Sequence, residues 1–293
     1  MRINHNISSM VTQNSLFQVN RSMSKSLERL STGLRINRAS DDAAGLGVSE
    51  NLRTQVMGTA QAIRNSQDGI AAITIAEGAA NEISAILQRM RELAVQSAND
   101  TLTSTERAYT DQEYNQLVSE IDRIAEVTNY NGMKLISTAG TSANDRFGIG
   151  GSGGSTGSAL WIDANESYGL DSITISIDTL STTELGQAAG TLDTTTLTSQ
   201  SDAVDAIISL DESIDSVNTM RSNMGAFINR LEHAINNLQV SNTNQQAAES
   251  LIRDVDFANE TAAFTRNQIL TQSGTAMLSQ ANMIPQGVLQ LLQ

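Results

Sequence analysis

LFQVNRSMSKSLERLSTGL, residues 16–34, carries the strongest pattern in the chain. Leu16, Met23, Leu27, Leu30 and Leu34 follow one another by seven, four, three and four places, the a/d rhythm of a coiled coil. Upstream, Ile3, Ile7 and Met10 repeat by four and three, but the same seam passes through Gln13 and Asn20. A single stripe with about one large apolar residue per turn cannot offset the roughly 1–2 kcal/mol that each ordered backbone residue costs. This helix therefore needs a partner.

The other end of the chain supplies a matching stripe. Leu270, Met277, Ala281, Ile284, Val288 and Leu291 step by seven, four, three, four and three. The chain finishes in MIPQGVLQLLQ (283–293), with Val288, Leu289, Leu291 and Leu292 uncovered by anything that follows. Pro285 interrupts this stretch, and its missing N–H and bulky ring predict a kink near Ala281. An apolar tail of this kind frays, aggregates or awaits a partner. Pairing of the two ends with each other, with further copies, or with both makes the tail an assembly surface.

Between the ends, helical periodicity continues to residue 136. Ile63, Ile70, Ile73, Ile83, Leu87, Met90 and Ala94 predict a helix over about 58–98, and Tyr114, Leu117, Ile121 and Ile124 another over about 105–128. NDTLTST (99–105) offers N-cap side chains for the latter. Residues 137–202 change character: they are rich in Ser, Thr and Gly, with one Arg and no Lys. SITISID (172–178) alternates as a half-buried strand should, with ALWID (159–163) and DRFGIG (145–150) as weaker strand candidates. Trp161 reads as a hairpin core residue. From Ile207 through Leu210, Ile214, Val217, Met224, Ile228, Leu231, Ile235 and Leu238 the helical rhythm returns, interrupted at Arg221. The fold class is mainly α: an elongated coiled-coil helical bundle with a small β-hairpin region.

Composition excludes several functions. The net charge of −14 argues against a nucleic-acid or anionic-membrane binder, although residues 1–56 hold seven Lys/Arg against four Asp/Glu and are mildly basic. Without cysteine there is no disulfide, zinc-thiolate site or thiol nucleophile. MRINHNISSMVTQNSL shows no apolar h-region or cleavage site, so a secretory signal peptide is not expected. No run approaches the roughly 18 apolar residues of a membrane span.

Chemical motifs are weak. GIGGSG (148–153) fits a dinucleotide-binding fingerprint, which needs a buried strand before it and a helix after it, but it lies in a Gly/Ser-rich tract where chance matches are easy. GGSTG (153–157) fits a nucleophile elbow at Ser155, yet the only histidines are His5 and His233, each read as a surface residue. Asp41 and Asp42 read as a cap for the following helix or as partners of Arg35, Arg38 or Arg53, not as metal ligands. No cofactor, metal or catalytic residue is expected.

Longer blocks are far more specific. SLERLSTGLRINRASDDAAGLGVSENLRTQ (26–55), NSQDGIAAITIAEGA (65–79), QRMRELAVQSAND (88–100), EIDRIAEVTNYNGMKLI (120–136) and the whole stretch from Val217 to Gln293 resemble bacterial flagellins, in order and at both ends. The resemblance implies an inner coiled-coil domain of residues 1–45 with 259–293, and an outer domain of 46–258 that includes the β-rich segment 137–202. It implies a secreted, extracellular subunit of the motility filament and no enzymatic activity. Its implied partners are further copies of itself, an export chaperone, the filament cap and hook-junction proteins, with no nucleic acid and no membrane. The assembly and chaperone seam would be Leu270, Met277, Ile284, Val288, Leu289, Leu291 and Leu292, facing the N-terminal seam Leu16, Met23, Leu27, Leu30 and Leu34. By the same resemblance Arg89, Leu93 and Glu113 would meet a host toll-like receptor. Two rival readings are a hook–filament junction protein, which shares helical ends, and a secreted serine hydrolase using Ser155.

Overall fold

The computed structural model describes residues 6–137, 158–163, 171–186 and 190–290. Five helices dominate: α1 (Ile7–Thr32), α2 (Ala43–Ser97), α3 (Ser104–Val127), α4 (Gln200–Arg253) and α5 (Phe257–Gln290). Four short strands complete the described fold: β1 (Asn129–Tyr130), β2 (Met133–Lys134), β3 (Ser158–Trp161) and β4 (Ser172–Ile175). The chain forms two compact units, residues 1–56 with 243–293 and residues 57–242. DRFGIG, GIGGSG, Ser155 and His5 lie outside the described residues.

In the larger unit the periodic residues of α2, α3 and α4 meet in one core. Ile73, Ile83, Leu87, Met90, Tyr114, Ile121, Leu210, Val217 and Leu231 are wholly enclosed. Arg221 does not break the α4 seam, because Met220, one place earlier, takes the inward position and is buried. By length and composition α2 could cross a membrane. Its apolar stretch is spent on this core, where Ala72, Ala76 and Ala80 are sealed from solvent. α3 starts at a reciprocal cap: Thr103 Oγ1 accepts from the Glu106 amide, and the Glu106 carboxylate accepts from the Thr103 amide at 2.8 Å. The Thr103 amide and then its hydroxyl, both donating to the Glu106 carboxylate, hold that carboxyl below its ordinary range.

The segment after the helices of this half is laid onto the core and strapped there by polar groups of α3. The Asp122 carboxylate accepts from Thr182 N–H at 3.0 Å and from its hydroxyl at 2.7 Å. Asp111 accepts from Leu197 N–H at 2.7 Å, and the buried Tyr114 hydroxyl meets Thr195 Oγ1 at 2.6 Å. Burial pushes the Tyr114 phenol up. Beneath these straps Ile173, Ile175, Ile177, Leu180, Leu185, Leu192 and Leu197 enter the core.

β3 and β4 pair antiparallel, with Ser158 opposite Ile175 and Trp161 opposite Ser172. Leu160 faces α2 at Gly69, where a Cβ would lie 2.3 Å from its Cδ1, so any larger residue there would force the Leu160 side chain to shift. Alternation along the strand then turns Trp161 away, and it is 36 % exposed, not a hairpin core residue. The β1–β2 turn is Asn131-Gly132, both with positive φ (51° and 81°), the geometry of a two-residue hairpin.

Candidate assembly surface

In the smaller unit α1 and α5 lie side by side, and their contacts fix an antiparallel register. Asn6 Nδ2 donates to Ala281 O at 2.9 Å, Leu16 packs over Gly274, Arg29 pairs with Glu260 at 3.4 Å, and Gly33 lies beside Phe257. The residues of α1 shielded by this pairing are Thr12, Leu16, Val19, Met23, Ser26 and Leu30, alternating by four and three. Those of α5 are Glu260, Phe264, Asn267, Thr271, Gly274, Leu278 and Ala281, again alternating by four and three. Carried along the register, Ser26 stands opposite Phe264 and Thr12 opposite Leu278. A large side chain on one helix meets a small or polar one on the other, which lets the backbones approach.

The coiled-coil period predicted from sequence is present, but its phase differs at four positions. Leu27 is 57 % exposed, because the inward place is held by buried Ser26. Leu34 is not on α1 at all. Gly33, at φ 74°, ends the helix in a left-handed cap whose N–H reaches Arg29 O, and Leu34 bridges to Asp254 in the α4–α5 connection. Leu270 and Met277 also face outward, Met277 being 62 % exposed, while Thr271, Gly274 and Leu278 turn inward. Leu16, Met23 and Leu30 lie in the shielded stripe of α1. Ile284, Val288 and Leu289 fall in the last turns of α5, and Leu291 and Leu292 lie outside the described residues.

The helix pair is thus left with apolar side chains that nothing among the described residues covers. Ile7, Met10, Val11, Phe17 and Leu27 on α1, and Ile269, Leu270, Met277 and Met283 on α5, are all exposed. A shallow groove on α5, lined by Ala258, Thr261, Ala262, Thr265, Ile269 and Leu270, has an accessible volume of about 530 Å³. Periodicity of large residues led sequence reasoning to a mixture of the two stripes, Leu27, Leu270 and Met277 outward and Leu16, Met23, Leu30 and Ala281 inward. The inward one mixes Leu16, Met23, Leu30, Phe264 and Leu278 with Thr, Ser, Asn and Gly, which dilutes its apolar signal.

Both paired connections are held by charge. Asp42 Oδ1 accepts from Gly45 N–H at 2.9 Å and caps α2. Asp41 takes Lys25 at 2.7 Å in place of the three arginines expected from sequence, and that ammonium, with the Arg38 and Asn37 amides, holds its carboxyl below the usual carboxylate range. Arg35 donates to Ile252 O at 2.6 Å, and Arg253 pairs with Glu50 at 2.7 Å.

Of the three residues assigned to receptor contact, two reach the surface. Arg89 bridges Glu113 at 2.9 Å and Glu92 at 3.0 Å. Leu93 is 2 % exposed, since it shares the core face of α2 with Met90 and Ala94.

Paired chain ends with uncovered apolar faces, joined to a packed helical body, define a self-assembling structural subunit. Comparison with known proteins supports that class. Residues 3–141 match the bacterial flagellin N-terminal helical region, and residues 204–292 match the bacterial flagellin C-terminal helical region. A flagellin of Halalkalibacterium halodurans is 45 % identical and flagellin FlaB2 of Treponema pallidum 43 % identical, each aligned over all of both chains. A solved hook-associated protein from Vibrio parahaemolyticus shares the fold at a TM-score of 0.56, covering 73 % of this chain and 99 % of that one at 15 % identity. The chain belongs to the bacterial flagellin family. It is a structural, non-enzymatic subunit that polymerises into the extracellular flagellar filament.

Proposed function

We propose that polymerisation buries the outward apolar faces of α1 and α5, so that the filament completes what the lone helix pair leaves open. What supports this reading is the second apolar face: Phe17, Leu27, Leu270 and Met277 face solvent although Leu16, Met23, Leu30, Phe264 and Leu278 already fill the shielded seam. Each such side chain, once fully buried, contributes roughly 1.5–3 kcal/mol. On the family pattern, residues 1–45 with 259–293 form the inner domain and 46–258 the outer one. The same apolar stripe, extended by Val288, Leu289, Leu291 and Leu292, is held by an export chaperone before assembly, and subunits add beneath a cap beyond the hook junction. A host toll-like receptor reads Arg89 and Glu113, without Leu93; unchanged reporter-cell signalling after Arg89→Ala overturns that part.

Seeded polymerisation followed by negative-stain microscopy tests the main reading. The full chain grows long uniform tubes, and a chain lacking residues 1–34 and 259–293 grows none. Tubes from the truncated chain overturn it. Growth that stops after a single tier would instead favour a hook–filament junction protein.

A further inference from the structure

Pro285 lies within α5, and a proline has no N–H to give to the carbonyl four residues before it. That carbonyl belongs to Ala281, whose side chain is buried against α1. A carbonyl shielded from water and left without a donor costs up to about 1–3 kcal/mol, and this one is part-buried. The missing donor comes from the other end of the chain: the Asn6 amide Nδ2 donates to Ala281 O at 2.9 Å. The same side chain is the N-cap of α1, its Oδ1 accepting from Ser9 N–H at 3.1 Å. One residue therefore starts one helix and repairs the break in the other.

We infer that Asn6 is the residue that sets the register between the two chain ends, by serving as the donor that Pro285 cannot supply. A slide of either helix by one turn leaves Ala281 O unsatisfied and takes the cap of α1 away from the proline break. The bond also marks the N-terminus of α1 against α5, whose residues 282–290 follow Ala281. Asn6 thereby positions the segment that carries Val288 and Leu289. The inference rests on the reading that the paired ends are the polymerising element.

A double-mutant cycle tests it. Asn6→Ser keeps a capping oxygen but has no amide N–H to reach Ala281, and Pro285→Ala restores a backbone N–H at position 285. Hydrogen exchange of the amides of residues 270–283 is measured in filaments of the four chains. Asn6→Ser is expected to speed their exchange about five-fold in the native background and less than about two-fold in the Pro285→Ala background. Equal acceleration in both backgrounds overturns the inference. Should Asn6→Ser fail to polymerise, rescue by Pro285→Ala supports it and absence of rescue overturns it. Failure of the native chain to form tubes would count against the assembly reading alone, and the cycle is then read on the soluble chain by the same exchange.

Discussion

Gly274 shows how much a single side chain decides in the paired ends. A Cβ built there would stand 3.2 Å from Leu16 Cδ1, a gap that a flexible leucine tip can open by a few tenths of an ångström. Gly274→Ala is therefore close to neutral, the gain in helix propensity of about 1 kcal/mol offsetting the crowding. Gly274→Val adds branched bulk that Leu16 cannot escape. It should destabilise the pair by about 1–3 kcal/mol, read as a lower melting midpoint of filaments, with partial recovery in a Leu16→Ala background. Asp41 carries a second prediction at this scale. Its folded carboxyl titrates below the unfolded value of about 3.9, so its contribution is present above that pH and is lost as acid brings the pH down through the folded value. Asp41→Asn should weaken the protein at neutral pH, with the difference from the native chain closing below about pH 4, followed by circular dichroism. Sequence reasoning left capping and arginine pairing open for Asp41 and Asp42; Asp42 caps, and Asp41 pairs with Lys25, because charge pairing across a turn depends on where Lys25 comes to lie and not on spacing.

Among elements, α1 and α5 show the difference between period and phase. The four-three rhythm of both helices is legible, since it follows from the pitch of the α-helix whatever the helix packs against. The inward face is not, because this chain carries large apolar residues on both faces, Leu16, Met23, Leu30, Phe264 and Leu278 inward and Phe17, Leu27, Leu270 and Met277 outward. A charge on each face of α1 separates the two roles. Leu30→Glu strikes the shielded seam and should loosen the helix pair itself. Leu27→Glu leaves the pair intact and should raise the critical concentration for polymerisation about ten-fold or more, measured by sedimentation of filaments at rising protein concentration. Equal loss of α1–α5 pairing in both variants, by hydrogen exchange, would contradict the assigned faces. In the larger unit the apolar rhythm was sufficient, because α2, α3 and α4 bury their largest residues against one another. The β1–β2 hairpin went unread from periodicity, although its Asn131-Gly132 pair is a strong local hairpin signal.

For the whole molecule, the two units differ in what they enclose. Ten residues of α4 are buried, whereas α1 buries only Ser26 and the described part of α5 only Ala281. Local opening follows such differences. Amides of α1 and α5 should exchange quickly in the free subunit and become protected on polymerisation, while those of Ile83, Leu87 and Ile121 stay slow in both states. Protection of α1 and α5 already complete in the free subunit would show that the helix pair needs no neighbours.

The amino-acid sequence by itself determined that the chain is helical, that its two ends match, that it uses no cysteine chemistry and that it belongs among flagellins. Those properties lie in local periodicity, composition and long ordered blocks, each read without knowing what touches what. Only the tertiary structure decided which stripe of each end helix turns inward, that Leu93 is enclosed, and that Asn6 stands over the carbonyl Pro285 leaves bare. A hydrophobic pattern records which faces avoid water; the register of two helices distant in the chain decides which of those faces the subunit covers and which it leaves for its neighbours.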